Sequence, residues 1–169
     1  MNDIHPGSPL IRAALIVRDL GRSRRFYGDL LGFTEEYASG ETRSAAFTTL
    51  LGQPEGTLCR FQVLKQPGPC FGMIGLFELS EPAPAAAPPP SATVSSGNVV
   101  LVFYAADLGP FVARVEACGG RLLAPVVDLA SRNRSQRELV ACDPDGVRVN
   151  LIERDPAEAL RTRGPGRVF

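Results

Sequence analysis

An internal repeat is the feature that most constrains the fold of this chain. The tripeptide Asp-Leu-Gly occurs at residues 19–21 and again at residues 107–109, each time after a mostly apolar segment. The glycine that follows each copy, Gly32 or Gly120, lies equally far from its tripeptide. A repeat of roughly half the chain is typical of folds built from one supersecondary unit used more than once. The sequence therefore predicts two copies of the same unit.

Each copy carries the pattern of a mixed α/β unit. Period-2 alternation predicts a first strand over residues 10–18, and Asp19 and Gly32 are suited to begin and end a helix over residues 20–31. The remaining first-half elements are strands at 33–39, 57–65 and 71–79 and a short helix at 44–51. The second half predicts strands at 98–106, 121–127, 137–142 and 147–153, with a helix after the tripeptide and a turn at 143–146. The predicted fold class is α+β, with two tandem βαβββ modules.

Composition places the module boundaries. Residues 80–96 are rich in Pro, Ala and Ser, which favours an extended linker over a packed element. The first module is thus predicted over residues 10–79 and the second over residues 97–154. Residues 155–169 are polar and rich in Gly and Pro, and they predict a flexible C-terminal tail.

Charge and cysteine usage exclude several classes of function. The chain has 18 basic and 18 acidic side chains, so no net field favours nucleic acid or an anionic membrane as a partner. No apolar run is long enough to span a bilayer, and the N-terminus lacks a secretory pattern, so we expect a cytoplasmic protein. The four cysteines form no C-x-x-C pair, and His5 is the only histidine. A cysteine–histidine or serine–histidine nucleophile is therefore not favoured.

Two motifs resemble those of a known superfamily. They are Val17-Arg18-Asp19-Leu20 with Phe26-Tyr27 and Leu30-Leu31-Gly32-Phe33, and Asp143-Pro144-Asp145-Gly146 followed by Val147-Arg148-Val149-Asn150-Leu151-Ile152-Glu153. Together they resemble the opening and closing signatures of the vicinal oxygen chelate superfamily, over about residues 10–154. This superfamily includes glyoxalases, fosfomycin and bleomycin resistance proteins and extradiol dioxygenases. The resemblance implies that the two modules form a half-open curved sheet or barrel with helices outside and a concave cavity for a small molecule. By analogy with the bleomycin-resistance branch, it also implies a homodimer.

Metal-dependent members of this superfamily place one His or Glu on each of four strands. The resemblance carries these positions to Arg12, Gly75, Val100 and Asn150, with Asn98 replacing Val100 if a gap shifts the register. This set offers no normal group of ligands, and a guanidinium repels a divalent cation. We therefore expect neither a metal ion nor another cofactor.

Strand alternation instead predicts an apolar cavity with a few polar groups, as in many small-molecule sites. Phe47 and Leu51 would cover one rim, and Arg12 has the structural alternative of pairing with Glu138 or Glu153. The predicted ligand-binding residues are Arg12, Arg60, Gln62, Met73, Gly75, Phe77, Val100, Tyr104, Arg148 and Asn150.

Three functions stay open on the sequence. The preferred one is a protein that binds a small anionic or aromatic molecule in a metal-free cavity. The second is an enzyme: a metal-independent lyase or isomerase that uses Arg12 with Tyr104 or Glu138 or, if the register differs, a metal-dependent glyoxalase or dioxygenase. The third is a non-catalytic scaffold that uses its sheet edges or its Pro-rich segment for protein contacts.

Overall fold

The computed structural model describes residues 8–85, 93–131 and 134–160. The chain divides into two compact units, Met1–Ala86 and Ala87–Phe169. Of the predicted linker, residues 86–92 lie outside the described residues, as do residues 161–169 of the predicted tail. The start of that tail is not irregular, because Pro156–Leu160 forms a 3₁₀ helix. The α+β fold class is confirmed, with one open sheet in each unit.

The first unit is a four-stranded sheet with the order β1-β4-β3-β2. Strand β1 runs parallel to β4, and the β4–β3 and β3–β2 pairs are antiparallel. This is the predicted βαβββ module. Its elements are β1 (Arg12–Val17), α1 (Leu20–Arg24), β2 (Glu35–Thr42), α2 (Ala45–Leu50), β3 (Leu58–Lys65) and β4 (Met73–Ser80).

The first helix begins and ends as the sequence predicts. The side chain of Asp19 accepts a hydrogen bond from the backbone N–H of Arg22, which caps α1. The helix continues with π-helical geometry over Arg25–Leu30 and stops before Gly32, whose φ of 79° suits a residue without a Cβ. Phe26 and Tyr27 are fully buried and fix the helix against the sheet.

The second unit repeats this order with a more broken sheet. Its path is β5-β9-β8-β6, and β7 also pairs with β8. The predicted single strand at 121–127 is wrong: the chain forms two short strands, Arg121–Leu122 and Val127–Ser131. The α-helix ends at Arg114, and turns complete the path to Gly119. The elements are β5 (Val100–Ala105), α3 (Gly109–Arg114), β6 (Arg121–Leu122), β7 (Val127–Ser131), β8 (Arg134–Cys142) and β9 (Arg148–Glu153).

Each sheet carries on one side the helix that follows its first strand, α1 or α3. In the first unit, Leu15, Val17 and Leu76 are buried on the helix side, where the carboxylate of Glu78 accepts the N–H of Leu20 at the start of α1. In the second unit, Glu153 accepts the N–H of Leu108 just before α3. The opposite side of each sheet is called its open face below.

The described residues contain no helix long and apolar enough to cross a membrane.

Candidate functional site

The open face of the first unit is built by β1 and β4. The parallel register places Arg12, Ala14 and Ile16 beside Met73, Gly75 and Phe77, respectively. The two faces of β1 differ in burial: Leu15 and Val17 are buried, whereas Arg12, Ala14 and Ile16 are exposed. The open face therefore presents a strip of apolar side chains with one guanidinium at its end. The register thus places these six residues on one face of the sheet.

An aromatic cluster around Phe77 covers part of this face. The ring of Phe77 lies 5.9 Å from that of Phe47 and 6.0 Å from that of Phe61, measured between centroids. Phe47 and Leu51, which are predicted to cover one rim, pack against the buried side chains of this cluster. Phe77 is only 6% exposed and Met73 only 2%, so both are core residues that offer little surface to a ligand. The open part of the face is consequently the strip along β1.

Arg12 stands between this cluster and the solvent. Its Cζ lies 5.9 Å from the centroid of the Phe77 ring, a cation–π distance. Glu138 and Glu153, the predicted alternative partners of Arg12, belong to the second unit, and that pairing stays a prediction. Within the second unit, Glu153 pairs with Arg137, and Glu138 accepts hydrogen bonds from amide side chains. Among the described residues of the first unit, the Arg12 guanidinium has no carboxylate partner.

Gly75 is packed closely by its neighbours. A Cβ built at this position would lie 2.8 Å from Cε2 of Phe77 and 3.4 Å from Cδ of Arg12. The Phe77 ring therefore fills the space in which any side chain at position 75 would begin. The absence of a Cβ lets the ring and the arginine stem approach the backbone of β4.

The predicted orientation of Arg60 and Gln62 is wrong. The antiparallel register pairs Phe61 with Phe77 and Val63 with Gly75, so it is the alternate set of β3 that reaches the open face. Arg60 lies on the helix side, where it forms an ion pair with Glu78. Gln62 lies on the same side opposite Leu76, and its buried Oε1 has no hydrogen-bond partner among the described residues. The reason is that α2 covers the open face beside β3, where the apolar residues Cys59 and Phe61 pack against it.

Cys59 lies in the same cluster and is fully buried. Burial raises the pKa of its thiol, because the charged thiolate loses its hydration in an apolar environment. A reactive thiolate at this position is therefore disfavoured.

The open face of the second unit has a different character. The register places Val100, Val102 and Tyr104 of β5 beside Arg148, Asn150 and Ile152 of β9, respectively. Val100 and Val102 are exposed apolar residues. The Nδ2 of Asn150 donates to Oε2 of Glu138 at 3.1 Å and to the carbonyl oxygen of Leu139 at 3.0 Å. Polar groups on β8 and β9 thus meet in the middle of this face.

Two predicted ligand-binding residues of this unit have structural partners. Arg148 is 8% exposed and donates to the carbonyl oxygen of Thr93 at 2.9 Å, which ties β9 to the segment before β5. The ring of Tyr104 is covered by Arg154, whose Cζ lies 5.0 Å from the ring centroid. Arg154 in turn forms an ion pair with Glu158. Arg148 and Tyr104 thus both have partners within the second unit.

The open face of the second unit also holds residues outside the predicted set. Glu138 is predicted as a partner of Arg12 and as a catalytic candidate beside it, but not as a ligand-binding residue. Val127 and Leu129 of β7 belong to no predicted set. Period-2 alternation along 134–142 would have placed Glu138 with Val140 on one face. Strand β7 is missed in this way, since the predicted strand ends at Val127 and no element is predicted over residues 128–131.

The residues at the superfamily's metal positions do not fit a metal ion. Arg12 is a cation, and Gly75 and Val100 offer no side-chain donor. Asn150 turns its NH₂ group toward Glu138, and the alternative Asn98 accepts a backbone N–H from Ser95 through its Oδ1. In the part of the chain that the structure describes, no group of three or more His, Cys, Asp or Glu side chains is arranged to hold a metal.

Comparisons with known proteins agree with this fold. No curated protein matches the chain. A glyoxalase family protein from Bacillus cereus is 15% identical with a TM-score of 0.74, over 89% of this chain and 96% of that chain. A glyoxylase/bleomycin resistance protein/dioxygenase domain from Frankia sp. EAN1pec is 21% identical with a TM-score of 0.57, over 86% and 96%. A fosfomycin resistance protein from Listeria monocytogenes, complexed with Mn(II) and 1S,2S-dihydroxypropylphosphonic acid, is 17% identical with a TM-score of 0.53, over 91% and 98%.

At these identities the solved structures show a shared fold, and the family model is more specific. The model described as Glyoxalase/Bleomycin resistance protein/Dioxygenase superfamily matches residues 10–151. This range holds the first motif and the second motif as far as Leu151. The chain belongs to the glyoxalase/bleomycin resistance protein/dioxygenase superfamily.

Proposed function

We propose that this protein binds a small organic anion with an apolar or aromatic body at the open face of its first unit, without a metal ion. One observation carries the proposal: the exposed Arg12 guanidinium, unpaired with any carboxylate of the described residues of the first unit, stands at the end of an apolar strip. A site of this kind combines an apolar surface with one polar group that fixes the orientation of the ligand.

The position of Arg12 favours anion binding. Its stem lies against Gly75 and its guanidinium over the Phe77 ring, so the side chain is already partly ordered. Ordering before binding lowers the entropy that the ligand must offset. The planar guanidinium offers a pair of parallel N–H donors, which suits a carboxylate or a phosphonate.

The body of the ligand would cover Ala14 and Ile16. Both are exposed on the same face of β1 as Arg12, and Ile16 is 42% exposed. Removing apolar surface from water stabilises a complex by roughly 25 cal/mol per Å². A purely inorganic anion would leave this strip uncovered, and an organic anion is therefore the better match.

The side chains at the four superfamily positions support metal independence. Arg12 places a positive charge where a ligand for a cation would stand, and this charge takes over the electrostatic role toward an anion. Elemental mass spectrometry on untagged protein, purified without chelators, tests this part. We expect a metal content far below one ion per chain, and a bound ion in every chain would contradict the proposal.

Anion binding is tested with benzoate and phenylphosphonate as probes, by calorimetric titration of the full chain. We expect Arg12→Gln to weaken binding about tenfold or more, which is the range of a charge-assisted hydrogen bond. Arg24→Gln is the matched control, because it removes the same charge from an exposed position on α1, away from the open face. Equal affinity of the Arg12→Gln variant and the wild type for both probes would overturn the proposal.

A further inference from the structure

Glu138 on β8 is held by two side-chain amides. Gln136 Nε2 donates to its Oε1 at 2.6 Å, and Asn150 Nδ2 donates to its Oε2 at 3.1 Å. Asn150 is itself fixed, since the same nitrogen donates to the carbonyl oxygen of Leu139. Each carboxylate oxygen accepts one of these bonds and keeps capacity for another donor. The carboxylate is therefore oriented but not saturated.

The charge of this carboxylate has no counterion among the described residues of the second unit. Its neighbour in sequence, Arg137, lies on the other face of β8 and pairs with Glu153. Gln136 and Asn150 supply dipoles but no positive charge. A half-buried carboxylate that has only neutral donors is stabilised further when a cation approaches it.

The surroundings of Glu138 are apolar and open. The antiparallel registers place Ile152 opposite it on β9 and Val127 opposite it on β7. Val127 is 47% exposed, and Leu129, opposite Gln136 on the same strand, is 44% exposed. An oriented carboxylate beside exposed apolar side chains suits a ligand that has a positively charged group attached to an apolar body.

We propose that Glu138 is the binding residue of a subsite for an organic ammonium group, with Val127, Leu129 and Ile152 contacting the apolar part of the ligand. Glu138 accepts N–H bonds from the ammonium group, and Gln136 and Asn150 keep its oxygens in position. This inference goes beyond anion binding at Arg12, because it concerns the other unit and a ligand group of the opposite charge. Either proposal can fail without the other.

Benzylammonium is the probe that tests the subsite. Titrated into the ¹⁵N-labelled full chain at neutral pH, it is expected to shift backbone amide resonances of β7, β8 and β9 around Glu138. Glu138→Gln removes the charge and is expected to weaken binding about tenfold or more. Asp128→Asn is the matched control, because Asp128 is exposed on the opposite face of β7, and it is expected to bind the probe as the wild type does.

A second variant leaves Glu138 in place. Val127 is directly opposite Glu138 and exposed, so Val127→Lys would bring an ammonium group of the chain itself to the carboxylate. We expect this variant to fold and to bind benzylammonium about tenfold more weakly, because the carboxylate is already paired. The proposal is overturned if the resonances around Glu138 do not shift, or if Glu138→Gln and Val127→Lys both bind the probe as tightly as the wild type.

Discussion

Glu153 Oε2 accepts a hydrogen bond from the backbone N–H of Leu108 at 3.1 Å, although 45 residues separate the two along the chain. The same contact occurs in the first unit, where Glu78 Oε2 accepts the N–H of Leu20 at 2.8 Å. Each glutamate also pairs with an arginine of the neighbouring strand, Arg137 or Arg60. The last strand of each unit thus binds the start of the helix that follows its first strand.

Removing either glutamate is expected to destabilise the protein. In Glu78→Ala and Glu153→Ala, a backbone N–H at a helix start loses its acceptor, which costs about 1–2 kcal/mol of unfolding free energy. Urea unfolding followed by circular dichroism measures this loss. Glu116→Ala is the control, because Glu116 is exposed and no side-chain contact of it is described. Losses no larger than that of the control would show that these caps do not stabilise the units.

Gly75 is expected to tolerate no side chain. Gly75→Ala places a methyl group 2.8 Å from Phe77, whose ring is held by Phe47 and Phe61. Overpacking of this kind costs about 1–3 kcal/mol. The double variant Gly75→Ala/Phe77→Leu should lose less stability than the sum of the two single variants, because the smaller side chain makes room for the methyl group. Additive losses in urea unfolding would mean that the ring and position 75 do not compete for space.

The fold could be predicted because the two units share their local signals. Asp19 and Gly32 bound the first helix where their conformational preferences suggest, and the turn at 143–146 joins β8 to β9 as expected. The strand at 121–127 was wrong because β7 is set by its pairing with β8, a contact that the local sequence does not contain. Long-range pairing overrode the local pattern there.

The candidate site was predicted less completely, for a physical reason. On β3, the polar residues Arg60 and Gln62 alternate with the apolar Cys59 and Phe61, and the polar set was assigned to the open face. In the structure, α2 packs on the open face, and the side of β3 that faces α2 is therefore its more apolar side. Period-2 alternation separates two faces but does not say which of them a neighbouring helix covers.

Asp143 is expected to be the essential residue of the turn between β8 and β9. Its Oδ1 accepts the backbone N–H groups of Asp145 at 2.9 Å and Val147 at 2.8 Å, and the residue is 2% exposed. Asp143→Ala leaves these donors without their acceptor and should cost about 1–3 kcal/mol in urea unfolding. Asp143→Asn keeps a carbonyl oxygen at this position and should cost less. Equal losses in the two variants would assign the effect to the lost charge.

Cys59 links stability to pH at the alkaline end. Burial raises the pKa of its thiol above the ordinary value of a cysteine, which applies to the unfolded chain. Below that value the thiol is protonated in both states, and its contribution to stability is fully present. As the pH rises from there through the folded pKa, the unfolded chain releases the proton first, so the unfolding free energy falls.

Urea unfolding of the wild type and Cys59→Ala from pH 7.5 to about 10.5 isolates this contribution, because the other titrating groups are common to both. We expect the unfolding free energy of the wild type to fall relative to that of Cys59→Ala as the pH rises. A difference that is independent of pH would show that the thiol titrates alike in the folded and unfolded chains.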